Sequence, residues 1–526
     1  MKITKRKNKV KTDKVIINKE AVENLKPLVL NKNLNDNIER LKKIMNNSFD
    51  IKTREFKIGG KNVGAAVMYI ENLVNEERIL EHVIKPLIIE SAEILAYEGG
   101  VVNLQRIKDS MISTGEIEES SNFDDLVYGV LSGECLLLIE NYEKGLIISA
   151  KGYEGRNITE ADVEPSVRGQ KEAFIEVLQT NLGLIRRRIR DPNLTFEEYK
   201  VGRRSKNSLV MAYVKGIVKE DLVEEVRKKI TAINVDDDLT TGQVFHYLTE
   251  KESAIFPLVQ LSQRVDKITR SMLEGRIAII AENFPMAGLV PVTLPMLMQA
   301  ADEYYEKWLL GTLIRIIRYV GLLISTLLPA LYIAITSFNP SLLPTNLVLS
   351  IAVTRGGVPF PAFLEAFLMD MALELLQQAG IRLPRAVGQT VSIVGGLVVG
   401  QAAVEAGVIS PIMVVVIGLT AIASFSITDY GLSLASRILR VPFMLLATVL
   451  GIYGVALGVF YLLGYLCSLE SFGVKYMEPL TFYNLKDQKD ALIRAPQEFM
   501  KKRPKLLNPE DSQRQLNKKD GGGSEK

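Results

Sequence analysis

The stretch "GLVVGQAAVEAGVISPIMVVVIGL", residues 396 to 419, decides how the C-terminal half of the chain folds. It places one carboxylate, Glu405, in apolar sequence, with Gln401 one helical turn before it and Pro411 shortly after. An unpaired ionised carboxylate costs free energy in a soluble core, and more in hydrocarbon. The first question is therefore which solvent surrounds this segment.

Charge divides the chain into two unlike halves. The 526 residues are 24% charged and 47% hydrophobic, which by itself suggests an ordinary soluble protein. Charged residues are dense from the basic N-terminus to about Lys307, and they become rare from Leu309 to Cys467. The formal net charge of +3 says little about partners, and we expect no nucleic acid among them.

Cysteine and histidine are too few for several kinds of site. The two cysteines, Cys135 and Cys467, lie far apart, and only His82 and His246 could serve as imidazole ligands or bases. We therefore expect no disulfide framework, no metal site and no cofactor. The basic start of the chain is not followed by an apolar region, so no secretory signal is expected and the N-terminal half should be cytosolic.

Apolar runs in the C-terminal half indicate membrane spans. Tyr319 to Thr336 carries no charge, and Val441 to Cys467 is a second long run; both are long enough to cross a bilayer. The runs 389 to 404 and 411 to 427 are near the lower length limit. Because residues 342 to 380 could add another crossing and loop charge is indecisive, four or five spans and either side for the C-terminus stay open.

An acidic helix is predicted from residue 361 to residue 379. Its carboxylates are Glu365, Asp370 and Glu374, and apolar residues line the opposite face. The pattern is typical of an interfacial helix or of the wall of an aqueous cavity, which would place these carboxylates beside an ion path. An ordinary amphipathic surface helix, paired with Arg382 and Arg385, explains the pattern equally well.

The N-terminal half contains an internal repeat. The segment "FKIGGKNVGAAVMYIENLVNEE", from Phe56, matches "YKVGRRSKNSLVMAYVKGIVKED", from Tyr199. Further along, "DDLVYGVLSGECLLLIENY" (124 to 142) matches "DKITRSMLEGRIAIIAENF" (266 to 284). Two separate matches at nearly equal spacing indicate a duplicated unit.

Each repeat unit predicts one α+β lobe. The matches pair Tyr69 with Tyr213 on a strand, and Gly133 with Gly275 at a helix end, where a left-handed C-cap favours glycine. The predicted fold class is a duplicated α+β soluble N-terminal region followed by an all-α multi-pass membrane domain. The expected parts are a basic, disordered N-terminus (1–45), lobe 1 (46–155), lobe 2 (156–305), a membrane domain (306–468) and a soluble tail (469–526).

Several long motifs together resemble one family. They include "LPALYIAI", "RGGVPFPAFLEAFLMD", "LPRAVGQTVSIVGGLVVGQAAVEAGVISP", "LRVPFMLLA" and "CSLESFGVKYMEPL". In this order the motifs resemble the A subunit of the spore germinant receptors, the GerA family of endospore-forming bacteria. The similarity runs from about residue 45 to residue 510.

The resemblance implies a receptor subunit of the inner spore membrane. It would trigger germination together with a transporter-like B subunit and a lipoprotein C subunit, and it would oligomerise in the lipid around a gated ion path. Two segments of the Gly-xxx-Gly type, Gly396 with Gly400 and Gly454 with Gly458, permit the close helix packing that an oligomer needs. The same glycines also suit packing within one chain.

Two hypotheses remain for Glu405. Ala406 and Gly407 can turn the chain before Pro411 starts a helix, which places Glu405 at the tip of a helical hairpin. In an oligomer, Glu405 and Gln401 could instead form a ring that attracts cations. A secondary transporter is the alternative function, because Pro and Gly interrupt the helices. We do not expect an enzyme, because the sequence shows no set of nucleophile, base and orienting residue.

Overall fold

The computed structural model describes residues 29–60, 63–90, 104–108, 112, 116–152, 164, 169–236, 241–249, 254–382, 398, 400–481 and 487–514. The expected disordered tail therefore lies outside the described residues up to residue 28. Residues 34 to 44, which the sequence analysis placed in that tail, form a helix whose Leu34, Ile38 and Leu41 pack on the first sheet. Its many charged residues conceal this apolar stripe in the sequence.

The first lobe is one antiparallel sheet flanked by helices. Its strands are β1 (Ile51–Lys57), β2 (Gly64–Ile70), β3 (Ile117–Ser120), β4 (Cys135–Ile139) and β5 (Gly145–Ile148), in the order β1-β2-β4-β5-β3. Its α-helices are α1 (Leu34–Ile44), α2 (Glu76–Ile79), α3 (Leu104–Arg106) and α4 (Phe123–Leu131). Two π-helical turns, Leu80–Ile84 and Pro86–Glu90, extend α2.

The second lobe repeats this arrangement. Its strands are β6 (Leu194–Val201), β7 (Asn207–Val214), β8 (Gln260–Ser262), β9 (Ile277–Ala281) and β10 (Ala287–Val290), in the order β6-β7-β9-β10-β8. Its helices are α5 (Leu178–Arg188), α6 (Glu220–Ala232), α7 (Thr241–Tyr247), α8 (Val265–Met272) and α9 (Leu294–Leu297). The two sheets share one topology, which confirms the predicted repeat.

Matched positions in the two lobes also share their local structure. Tyr69 and Tyr213 both lie on the second strand of their sheet. Gly133 and Gly275 each come directly after a helix. Their φ angles are positive, 83° and 103°, which residues with an L side chain rarely adopt. Asn37 of α1 and Asn181 of α5 each bond a backbone N–H and a carbonyl six residues upstream. The repeat therefore begins earlier than the sequence motifs, at these two helices.

The C-terminal half is helical. It contains α10 (Trp308–Ser337), α11 (Thr345–Arg355), α12 (Ala362–Arg382), α13 (Pro411–Phe425) and α14 (Tyr430–Ser468), followed by the short strands β11 (Glu470–Ser471) and β12 (Val474–Lys475). Short 3-10 turns are Ile58–Gly60, Ala301–Tyr304, Pro340–Leu342, Asp487–Asp490, Gln497–Phe499 and Lys505–Leu507. Two of the described helices, α10 and α14, are long and apolar enough to cross a membrane.

The helix α14 is bent back on itself at Gly451. This residue has φ 61° and ψ −140°, which is not helical. A Cβ on Gly454 would lie 2.2 Å from the carbonyl oxygen of Leu446, and one on Gly458 would lie 2.7 Å from the Phe443 ring. Residues 430–450 and 452–468 are therefore two antiparallel legs, and the single span expected over 441 to 467 is wrong.

Both ends of α14 lie beside lobe 2. Thr428, just before α14, donates a hydrogen bond to the carbonyl of Leu297 (2.8 Å). At the other end, the ring of Phe256 in lobe 2 contacts the ring of Tyr465 at a tilt of 42°, with ring centroids 6.3 Å apart. The bend at Gly451 packs against Phe338, at the distal end of α10. Each leg therefore runs the length of the helical region, and the chain returns to lobe 2 at its end.

Candidate functional site

The helical region has an apolar surface, and its largely apolar interior also contains several charged side chains. Its exposed side chains include Leu309, Leu313, Ile317, Leu323, Leu375, Val449, Tyr453, Leu457 and Phe460. Its buried side chains include Arg315, Glu365, Asp370 and Arg440. A soluble protein rarely exposes large contiguous apolar patches and does not bury charge without a partner. This distribution matches a lipid surround, in which charge faces the bundle interior.

Asp370 lies at the middle of this interior. It is 5% exposed, and its carboxylate accepts a hydrogen bond from Arg440, which lies on the first leg of α14. Arg440 also donates to the carbonyl oxygen of Ser325, midway along α10 (3.0 Å). One ion pair therefore joins three helices at one level.

Glu365 occupies the level farther from the lobes. It is fully buried, and Arg355 lies 3.2 Å from its Oε1. Its other oxygen accepts the backbone N–H of Ser410, the residue that precedes α13 (2.9 Å). Glu365 therefore ties α12 to α11 and to the start of α13.

Glu374 lies nearest the lobes and is the most exposed of the three carboxylates. Arg437 is 3.4 Å from it, and Gln378 donates a hydrogen bond to it. The acidic side of α12 thus pairs with arginines of α11 and α14. The alternative partners, Arg385 and the side chain of Arg382, lie outside the described residues.

Glu405 lies where the sequence predicted a turn. It is exposed near the end of the helical residues 400–405, and the Gln401 amide donates to its carboxylate (2.9 Å). The chain turns at Gly407, which has φ 66°, and Pro411 occupies the first turn of α13. The turn lies where the sequence predicted it, and most of the arm before it lies outside the described residues, so the hairpin tip stays a prediction. Nothing in one chain tests the predicted ring of Glu405 and Gln401.

The four glycines proposed for helix packing have different surroundings. Gly454 and Gly458 contact the opposite leg of the same hairpin. A Cβ on Gly400 would lie 3.3 Å from Val414 of α13. Gly396 lies outside the described residues. The described contacts are therefore all within one chain.

A second cluster of buried charge, which the sequence analysis missed, lies where lobe 2 meets α10. Arg315 and Glu303 are both fully buried, with Nη2 and Oε2 2.6 Å apart, and Arg318 also bonds Glu303. Asp490 of the C-terminal tail lies 3.1 Å from Arg315 and 3.3 Å from Arg270 of α8. The tail, lobe 2 and the first long helix therefore meet at one set of ion pairs.

Burial shifts the pKa of two groups in this junction. It raises the pKa of Tyr304 to about 12. Burial also raises the pKa of Asp490 above its ordinary range, although Arg270 and Arg315 oppose the shift. The one sequence signal for this junction is a pair of arginines three residues apart in apolar sequence, Arg315 and Arg318. Their carboxylate partners are a loop residue and a tail residue, which no local pattern indicates.

Within the described ranges, no three His, Cys, Asp or Glu side chains are grouped so that they could hold a metal ion. The described residues instead form arginine–carboxylate ion pairs that are buried inside an apolar helix bundle. Such pairs can hold helices together, and they can provide two alternative arrangements when a pair breaks.

Comparison with known proteins gives consistent matches. The family model described as Bacillus/Clostridium GerA spore germination protein matches residues 39–506. Spore germination protein KA of Bacillus subtilis (strain 168) is 37% identical over 94% of this chain and 90% of its own. The uncharacterized membrane protein YfkQ of the same strain is 35% identical over 97% of this chain and 98% of its own. The crystal structure of the N-terminal domain of the A subunit of the Bacillus megaterium spore germinant receptor GerK3 covers 50% of this chain and 95% of that one, at 28% identity and a TM-score of 0.40.

Proposed function

Because the chain belongs to the GerA family of spore germination proteins, we propose that it is the A subunit of a nutrient germinant receptor in the inner spore membrane. In this role it senses receptor occupancy through its lobes and passes that state to the helical region. Its partners are the transporter-like B subunit and the lipoprotein C subunit, and its role is not enzymatic.

The observation that carries the membrane proposal is the apolar surface of the helical region together with the paired charges buried inside it. Side chains such as Leu375 (72% exposed) and Phe460 (79% exposed) face outward, while Glu365 and Asp370 are buried and paired. In water this arrangement would expose the apolar area and bury the charge, both at a cost. In lipid it is the favourable one.

We place the lobes and the C-terminal tail on the same side of the membrane, in the cytosol. The tail residue Asp490 contacts both Arg270 of lobe 2 and the N-terminal part of α10. This contact favours an even number of crossings over the alternative of five. The bend at Gly451 and the turn at Glu405 then both face the opposite side.

We propose further that several copies assemble around an ion path. Gln401 and Glu405 are exposed at a turn, so they are available to a ring of copies. Glu365, Asp370 and Glu374 would flank the path while their arginine partners hold the bundle closed. Exchange of those partners supplies the gate.

A flux experiment tests this proposal and separates it from the transporter alternative. The chain is co-expressed with its neighbouring membrane proteins, purified and reconstituted into liposomes, and passive cation flux is compared with concentrative solute uptake. We expect cation flux that depends on pH, because a ring of carboxylates raises the pKa of its own members, and we expect Glu405→Gln to remove that dependence.

The control is Glu470→Gln, an exposed carboxylate beyond the last leg of α14. It should leave flux and its pH dependence unchanged. Solute uptake without passive flux would establish the transporter alternative. Equal pH dependence in the wild-type and Glu405→Gln proteins would remove Glu405 from the path and leave it as a turn residue.

A further inference from the structure

A small cavity lies at the junction of lobe 2 with the first long helix. It has a volume of about 90 Å³ and is bounded by α8, by the start of β9 and by the segment 296–305 that leads into α10. One water molecule requires about 10 to 15 Å³ of such volume, so the cavity has room for several waters or for one small organic ion. The cavity lies beside the ion pairs of Arg270 and Asp490.

Two buried polar side chains on the cavity wall have unsatisfied atoms. Gln260 is fully buried, and neither its amide nitrogen nor its amide oxygen has a hydrogen-bond partner among the described residues. Arg276 is 5% exposed and its Nε also has none. Buried polar groups are nearly always paired, since an unpaired one costs about 1 to 3 kcal/mol. Two donors and one acceptor are therefore available on one wall.

No carboxylate forms a salt bridge with Arg276 in the described part of the chain, and Glu274 acts on it only from a greater distance. The other charged groups on the cavity wall are engaged: Arg270 with Glu274, Asp266 with Arg264, and Lys267 with Glu164. Arg276 itself donates only to the carbonyl of Pro291 in the bonds that the structure shows. Burial lowers the pKa of its guanidinium although Glu274 opposes the shift, and an anion beside it would oppose the shift further.

The repeat shows that the fold itself does not require these residues. Gln260 pairs with Leu289 in lobe 2 as Glu118 pairs with Ile147 in lobe 1. Arg276 follows Gly275 as Glu134 follows Gly133. In lobe 1 the first glutamate is exposed and the second is paired with Lys151. At these two positions, an unpaired amide and a guanidinium with an unpaired Nε are thus particular to lobe 2.

We propose that this cavity binds a small oxyanion the size of a simple carboxylate. The Arg276 Nε and the Gln260 amide nitrogen donate to the oxyanion, and the Gln260 amide oxygen accepts from a hydroxyl on the ligand. A bound anion would hold α8 against the segment that leads into α10, next to the Asp490 ion pairs. The site is thus placed to strengthen the contact between lobe 2 and the helical region. This role does not depend on whether the helices form an ion path.

The test is ligand-dependent thermal stability of the full chain in detergent. Sodium acetate, sodium glycolate and sodium phosphate are each titrated at constant ionic strength against sodium chloride. We expect a saturable rise in melting temperature with acetate, a larger one with glycolate because its hydroxyl satisfies Gln260, and a smaller one or none with the bulkier phosphate. A flat response to both carboxylates, which water in the cavity alone would give, overturns the proposal.

Two variants tie the response to the cavity. Arg276→Gln should weaken the apparent affinity about tenfold or more, the value of a hydrogen bond to a charged group. Gln260→Glu supplies an anion from the chain itself, so it should raise the melting temperature without ligand and abolish the response to acetate. The control, Arg203→Gln at an exposed position, should respond as the wild type does. An undiminished response in Gln260→Glu would overturn the assignment.

Discussion

The two lobes are joined by a buried ion pair, and its removal gives the sharpest prediction. Asp50 precedes β1 of lobe 1, and Arg186 lies on α5 of lobe 2; both side chains are 1% exposed. The guanidinium donates to both carboxylate oxygens, from Nε at 2.9 Å and from Nη2 at 2.8 Å. Phe49, beside Asp50, packs on the core of the second sheet. Asp50→Asn should therefore loosen lobe 1 from lobe 2.

The size of the effect follows from what the substitution leaves behind. Removing one partner of a buried pair costs about 3 to 5 kcal/mol, because the other charge stays buried and uncompensated. Arg186 keeps its bonds to Ser48 and to the carbonyl of Leu194, so we expect the lower end, about 3 kcal/mol. That figure corresponds to roughly a hundredfold change in a local opening equilibrium.

Native-state hydrogen exchange measures this opening directly. The Phe49 amide donates to the carbonyl of Phe196 across the lobe contact (3.1 Å), so its exchange reports separation of the lobes. We expect roughly hundredfold faster exchange there in Asp50→Asn. The control is Asp236→Asn, whose partner Arg203 is exposed and whose loss should cost at most about 1 kcal/mol. Equal exchange in the two variants would refute the reasoning.

Three further predictions address the bend, the second lobe and the topology. Gly451→Ala should lower the melting temperature, because a Cβ would lie 2.9 Å from Phe338 at a positive φ, whereas Gly464→Ala, with open space around it, should not. Burial of Glu197 opposes its ionisation, but hydrogen bonds from Arg227 and two tyrosines outweigh this effect and lower its pKa. Protonation of Glu197 should therefore lower the melting temperature at acid pH. The stabilisation that ionised Glu197 contributes is fully present above the ordinary glutamate pKa of about 4.3 and is lost as the pH falls below that value. The melting temperature of Glu197→Gln should therefore fall less at acid pH than that of the wild type. In proteoliposomes, exposed Cys467 should react with an impermeant maleimide from the lobe side only.

The repeat could be predicted because its evidence is local. An aliphatic strand, a Gly at each helix end and an Asn turn after each fourth strand are short patterns, and the Gly and the Asn are favoured there for backbone reasons. Asn141 and Asn283, for example, both have positive φ, 67° and 61°, which Asn tolerates better than most residues. The turn at Glu405 was predictable on the same grounds.

The bend at Gly451 could not be predicted in this way. Apolar legs in lipid need no polar residues at a tight turn when the turn packs against another helix, as this one does against Phe338. The run from Val441 to Cys467 therefore resembles one span in composition. Several glycines occur in it, and the sequence alone does not show which of them leaves the helical conformation.

The sequence could not show which face of α12 is buried, and the reason differs from that for the bend. Its periodicity correctly divides acidic from apolar residues, but periodicity does not say which face is inside. That choice depends on the solvent. In the structure Leu364 and Leu368 are exposed and Asp370 is buried, the reverse of a soluble amphipathic helix. The arginine partners come from distant segments, so only the folded chain brings them together.

The three ion pairs of α12 have unequal consequences for function. Arg440 is held both by Asp370 and by the carbonyl of Ser325, so moving the first leg of α14 past α10 must break a buried charge contact. Glu374 and Arg437 are partly exposed, and separating them costs much less. In the proposed gate, the level of Glu374 would therefore separate more easily than the level of Asp370.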